Sequence, residues 1–155
     1  MYSLIKILIE MKFKQQEENV KGNSILNSIV HLLCVNLEFN YAIKSQIDFS
    51  GDDKNEFCCY SSSLHREFDE LIKLFVSINP EHKNPVLNPE LKPVDSIGDL
   101  MKLEEKYYNM LKEIATNALE EKNIEVLAYL YDIIKYFKHY FCTLNEDNNS
   151  GETSS

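Results

Sequence analysis

All four prolines of this 155-residue chain fall in one stretch, "INPEHKNPVLNPELKPVD", at Pro80, Pro85, Pro89 and Pro93. Residues 1–79 and 94–155 contain none, and only four glycines are spread over the whole sequence. Proline removes a backbone donor and clashes with the preceding turn, and glycine adds to the entropy lost on ordering. A chain that confines the one and nearly omits the other can run in long uninterrupted helices. The proline stretch itself cannot be helical, and it predicts a long extended connection of the kind that compact domains use as a crossover or a functional segment.

On either side of that connection apolar residues recur at helical spacing. Leu4, Ile5, Leu8 and Met11, with Ile7, Ile9 and Phe13, fit a helix or a short strand over residues 2–17, with helix favoured. The polar "EENVKGN" predicts a break, after which Ile25, Leu26, Ile29, Leu32, Leu33 and Leu37 predict the first bundle helix, running to about residue 42. "DFSGDDKN" has the chemistry of a turn. Phe57, Leu64, Phe68, Leu71, Ile72 and Phe75 predict a second helix over 56–77. Asp95 or Ser96 can cap a third helix from Ile97, and "LEEKNIE" supplies the short turn to a fourth, over 124–143. The expected organisation is an N-terminal extension (1–23), an all-α four-helix bundle (24–144) with a long connection between its second and third helices, and a disordered polar tail (145–155).

The formal net charge of −9, with a single arginine, Arg66, would repel a phosphate backbone, so nucleic acid is not an expected partner. No run of apolar residues approaches the length of a spanning helix, and Lys6 and Glu10 interrupt the amino-terminal apolar segment. The expectation is a cytoplasmic protein without a membrane partner. Cys34, Cys58, Cys59 and Cys142 form no C-x-x-C pair and suggest reduced, partly buried thiols rather than a zinc site or a disulfide framework. His31, His82 and His139 receive no metal role, and the tyrosines of the third and fourth helices are expected in the core or at a subunit interface.

Two charged residues interrupt the apolar rows. On a helical wheel Glu104 falls on the row Ile97, Met101, Glu104, Tyr108, Leu111, and Lys138 on the row Leu127, Tyr131, Ile134, Lys138, Phe141. A buried carboxylate has to be paired, protonated or metal-bound. The two residues lie equally far from the turn near Glu121, so antiparallel helices would let them meet. Three readings stay open: an internal Glu104–Lys138 pair, two side chains at the bundle edge with the lysine reaching to water, or a retained metal site.

Several phrases resemble the ferritin family. In "LMKLEEKYYNMLKEIATNALEEKNIEVLAYL" the pieces "KLE", "A..ALEEKN" and "VLAYL" are similar to the third helix, the turn and the start of the fourth helix of ferritins. "VNLEFNYA" (Val35 to Ala42) resembles the first-helix phrase "INLELYAS", and His65 in "SSLHREFDELIKLF" resembles the histidine closing the second-helix E-x-x-H. The resemblance implies a bundle whose core holds a carboxylate-rich diiron site that oxidises ferrous iron, with iron as the possible cofactor. It places residual metal ligands at Glu38, His65 and Glu104. The bridging glutamate of that motif is Ser62 here, and the metal-layer residue of the fourth helix is Lys138, whose ammonium would repel iron. The implied function is an iron-storage or structural cage subunit with a degenerate oxidation site, forming homo-oligomers or co-assembling with other ferritin subunits. The alternative is a helical protein-interaction module that uses the apolar amino-terminal segment and the tyrosine-rich fourth helix.

Overall fold

The computed structural model describes residues 2–47, 54–79, 81 and 85–144, with the backbone alone over 2–23. These residues contain four helices and no strand: α1 (Tyr2–Gln46), α2 (Lys54–Ile78), α3 (Ile97–Glu120) and α4 (Ile124–Lys135). The turn residues 48–53 and the tail 145–155 lie outside the described residues. No described helix is long and apolar enough to cross a membrane.

α1 packs against α2 and α3, and α4 closes the ring on α3 and α2. Side-chain contacts fix the directions. Asn36 meets Leu64 and Asn40 meets Ser61, so α1 and α2 are antiparallel. Tyr60 meets Glu104 while Tyr107 meets Glu67, so α2 and α3 run the same way. Two parallel helices in sequence need a connection that returns the length of the bundle, and the proline stretch provides it. Extended chain covers ~3.3 Å per residue against 1.5 Å in a helix, so the stretch has ample reach. Its described part runs beside α1 over residues 90–94: the Glu90 N–H donates to Glu38 Oε1 at 2.9 Å, the Val94 N–H donates to Ser45 Oγ at 3.3 Å, and Gln46 donates to the Val94 carbonyl. Helix side chains thus satisfy backbone groups that no secondary structure serves.

The helix ends follow their chemistry. Ser96 caps α3, its Oγ accepting from the Asp99 N–H at 3.2 Å, and Asn123 caps α4 in the same way through Val126. Between them Lys122 sits at φ 57°, and the Asn123 and Lys122 N–H groups return to the carbonyls of Ala118 and Leu119. This is a left-handed helix stop that usually takes glycine.

Three expectations need correction. "EENVKGN" does not break the chain: α1 runs through it, because one helix-interior glycine costs only about 1 kcal/mol and the flanking residues are helix-compatible. The buried row of α3 is Leu100, Glu104, Tyr107, Leu111, Ile114 and Ala118, which turns Tyr107 rather than Tyr108 fully inward. α4 stops at Lys135 with Val126 and Leu130 as its buried residues, and after an irregular segment the chain makes one further helical turn over 140–144. That turn drives Phe141 into the core, where it, Tyr60 and Tyr107 surround Phe39 at ring distances of 5.8, 5.5 and 6.2 Å.

Candidate functional site

Glu104 is fully buried at the centre of this packing. Three donors converge on its carboxylate: the Tyr60 hydroxyl on Oε2 at 2.9 Å, the Phe141 N–H on Oε2 at 3.0 Å and the Cys142 N–H on Oε1 at 3.0 Å. The two backbone donors belong to the first turn of the C-terminal helical segment, where no intrahelical acceptor exists. The break in α4 and the buried carboxylate therefore explain each other. Interrupting the helix frees N–H groups, and the carboxylate accepts them in charge-assisted bonds that offset its desolvation. The same surroundings hold the Tyr60 hydroxyl protonated: burial first and the adjacent Glu104 charge second push its pKa up.

A second polar chain crosses the bundle one turn away. Asn36 Nδ2 donates to the Leu64 carbonyl and to the Tyr107 hydroxyl, each at 3.0 Å, and that hydroxyl donates to Glu67 Oε1 at 3.2 Å. Loss of solvent raises the Glu67 carboxyl from 4.5 to about 7, against the lowering effect of the Tyr107 bond and Arg66. Glu67 borders a cleft of about 720 Å³ between α2 and the irregular segment after α4, walled by Tyr60, Tyr136, Phe137 and Tyr140.

The residues singled out by resemblance do not converge. Glu38 is half-buried and holds the Glu90 N–H of the crossover. His65 faces solvent, 3.8 Å from Asp69 one turn along α2, and Ser62 is exposed as well. Among the described residues these ligand atoms and those of Glu104 form no group compact enough for a cation. Lys138 is exposed and takes part in none of the ion pairs found among the described residues, so the internal Glu104–Lys138 pair is not formed. The reason is rotational and local: the buried face of α4 is the Val126–Leu130 row, and Lys138 lies beyond the helix end, contributing only a carbonyl, 3.2 Å from the Tyr60 hydroxyl. Cys58 and Cys59 are also exposed rather than partly buried, because Phe57, Tyr60 and Ser61 take the inner face of α2.

One cluster went unrecognised. Glu104, His139 and Cys142 bring a carboxylate oxygen, an imidazole nitrogen and a thiol sulfur within 4.8 Å of one another. The exposed Glu105 carboxylate lies 3.8 Å from the same sulfur. Burial and the two carboxylates push the Cys142 thiol up to about 12, so at neutral pH it stays protonated and is a poor nucleophile. The His139 ring rests edge-on against Tyr108 at 4.4 Å and beside Phe137 at 5.0 Å. The spacing His139-x-x-Cys142 is visible in the sequence, but a continuous fourth helix gives no reason for Glu104 to join it.

Comparison with known proteins finds no matching family model, no matching curated protein and no matching solved structure.

Proposed function

We propose that this protein is a non-catalytic helical interaction module that pairs with a second copy of itself through the outer face of α4. The positions resembling a ferritin diiron site then serve structure, with Glu104 organising the C-terminal turn and Glu38 holding the crossover. The observation that carries this reading is the outer face of α4. Ile124, Ala128 and Tyr131 form one exposed stripe at helical spacing, extended past the helix end by Tyr136, with Ile124 78%, Tyr131 61% and Tyr136 70% exposed. Val126 and Leu130 meanwhile fill the inner face. A helix apolar on both sides is characteristic of one that is covered on both sides. Tyrosine is also favoured where interfaces form.

A second copy fits the stripe because the stripe is self-complementary. Glu125 lies in the first turn of α4, where it also accepts from the Ser77 hydroxyl of α2, and Lys135 lies in its last turn, over the rings of Tyr131 and Tyr136 at 5.6 and 5.4 Å. Two such helices related by a twofold axis perpendicular to them run antiparallel, which sets Glu125 against the other copy's lysine end and Ile124 against its Tyr136 end.

Sedimentation across a concentration series tests the reading: a reversible dimer is expected, weakened by Lys135→Glu and restored when Glu125→Lys is added. A monomer at every concentration, or a dimer indifferent to both changes, would overturn it. The second reading, a ferritin-like storage or structural subunit that assembles with itself or with other ferritin subunits, is favoured by the helix order and the crossover between parallel helices. It requires a shell of many subunits in the same experiment. Ferrous iron added to the protein is expected to oxidise no faster than in buffer.

A further inference from the structure

We propose that Glu104, His139 and Cys142 form a mononuclear site for a borderline divalent cation of the zinc class, at the junction of α3 and the C-terminal helical turn. The site lies apart from the α4 surface, and of the ligand positions suggested by resemblance it uses Glu104 alone. Thiolate, imidazole and carboxylate are the donors that zinc takes in four-coordinate sites, with bonds of ~2.0–2.3 Å that set ligand atoms roughly 3.5 Å apart. Donor atoms already within 4.8 Å of one another need movements of only about 1 Å to reach that spacing. The two residues that would move are the exposed His139 and the half-buried Cys142. Glu104 is the fixed member.

The hydrogen bonds on Glu104 allow the right vacancy. Oε2 accepts from both Tyr60 and Phe141 and Oε1 from the Cys142 N–H, and the remaining side-chain bond to the carboxylate comes from the Cys142 thiol, so loss of the thiol proton on coordination opens a lone pair for monodentate ligation. Tyr60 and the two backbone donors thereby act as the outer shell that orients a metal-bound carboxylate. The charge balance agrees, because two carboxylates, Glu104 and Glu105, face the thiol and no lysine or arginine ion pair reaches Glu104 among the described residues. On binding, the S–H bond breaks, the sulfur coordinates the cation and the proton leaves to solvent. A cavity of about 570 Å³ lined by Glu105, Tyr108, Asn109, His139, Cys142 and Thr143 opens onto the cluster. It gives the ion an entry path and leaves a fourth position for water or an exogenous ligand.

Cobalt titrated into the full-length protein tests the site. The expected result is one ion per chain and a near-ultraviolet thiolate-to-cobalt charge-transfer band that zinc abolishes by displacement. Cys142→Ser should remove the band, and His139→Ala should weaken binding by roughly tenfold or more. Cys58→Ser and His65→Ala should leave both unchanged. Zinc should raise the melting temperature of the native protein and not that of the His139→Ala/Cys142→Ser double variant, whose fold is checked by circular dichroism. Absence of the band, a band that survives Cys142→Ser, or affinity indifferent to His139 would each overturn the proposal.

Discussion

A buried carboxylate is tolerable when its lone pairs are filled by donors that have no better partner, and Glu104 meets that condition through one hydroxyl and two backbone N–H groups. Glu104→Gln keeps the shape but offers an amide nitrogen that cannot accept, so at least one buried donor is stranded. Its expected cost is about 3 kcal/mol in urea unfolding. Lys138→Gln, at an exposed side chain, should stay within about 0.5 kcal/mol. Equal effects of the two changes would restore the internal pair. Glu67 makes the complementary case. Its folded-state carboxyl titrates at about 7 against 4.5 ordinarily, so between those values the native state binds the extra proton. Stability from this group is therefore complete below about pH 4.5 and is lost as pH rises through 7, with a slope of at most ~1.4 kcal/mol per pH unit. Glu67→Gln should flatten that part of the stability–pH curve, and an unchanged slope would show that the carboxyl is solvated. The carboxylates at 67 and 104 are both legible as polar letters, but their opposite treatment is not. One receives three donors and the other a single tyrosine hydroxyl, and only the packing of α2, α3 and the last turn decides which.

At the scale of elements, capping chemistry and apolar spacing located most helix ends. Ser96 and Asn123 start α3 and α4 with the side-chain oxygens their positions require. The stop between them is less favourable, because Lys122 occupies a left-handed conformation that costs a residue with a Cβ about 1 kcal/mol. Lys122→Gly should accordingly stabilise the protein by roughly 0.5–1 kcal/mol, read as a higher urea midpoint at constant slope. A loss of stability would mean that the lysine side chain contributes more than its backbone strain removes. The end of α4 lay outside such rules. "IIKYFKHYFCTL" is apolar enough to continue as helix, and the interruption at 136–139 follows from what its freed N–H groups find in space.

For the whole molecule, the order of contacts produces two antiparallel pairs joined by a crossover along α1, and the twofold pairing proposed through α4 adds a second level of assembly. Each copy carries a net charge of −9, so long-range repulsion opposes pairing, whereas an exposed Glu125–Lys135 contact contributes only about 0–1 kcal/mol. Repulsion dominates the salt response: raising ionic strength from about 0.05 to 0.5 M shortens the screening length severalfold and should tighten the dimer. Loosening under salt would assign the association to the ion pairs instead of the apolar stripe.

Proline placement, glycine scarcity and apolar period determined an all-helical chain with one long non-helical link, since those properties act through the local backbone and need no partner. Which residues share a site was settled only in three dimensions. The buried row of α3 keeps Glu104 and Leu111 but turns Leu100 and Tyr107 inward, and the early end of α4 leaves Lys138 at the surface and sets His139 and Cys142 beside Glu104. A partial rotation of a helix leaves the periodicity of a sequence almost unchanged, yet it redirects the side chains, and convergence of donors depends on direction.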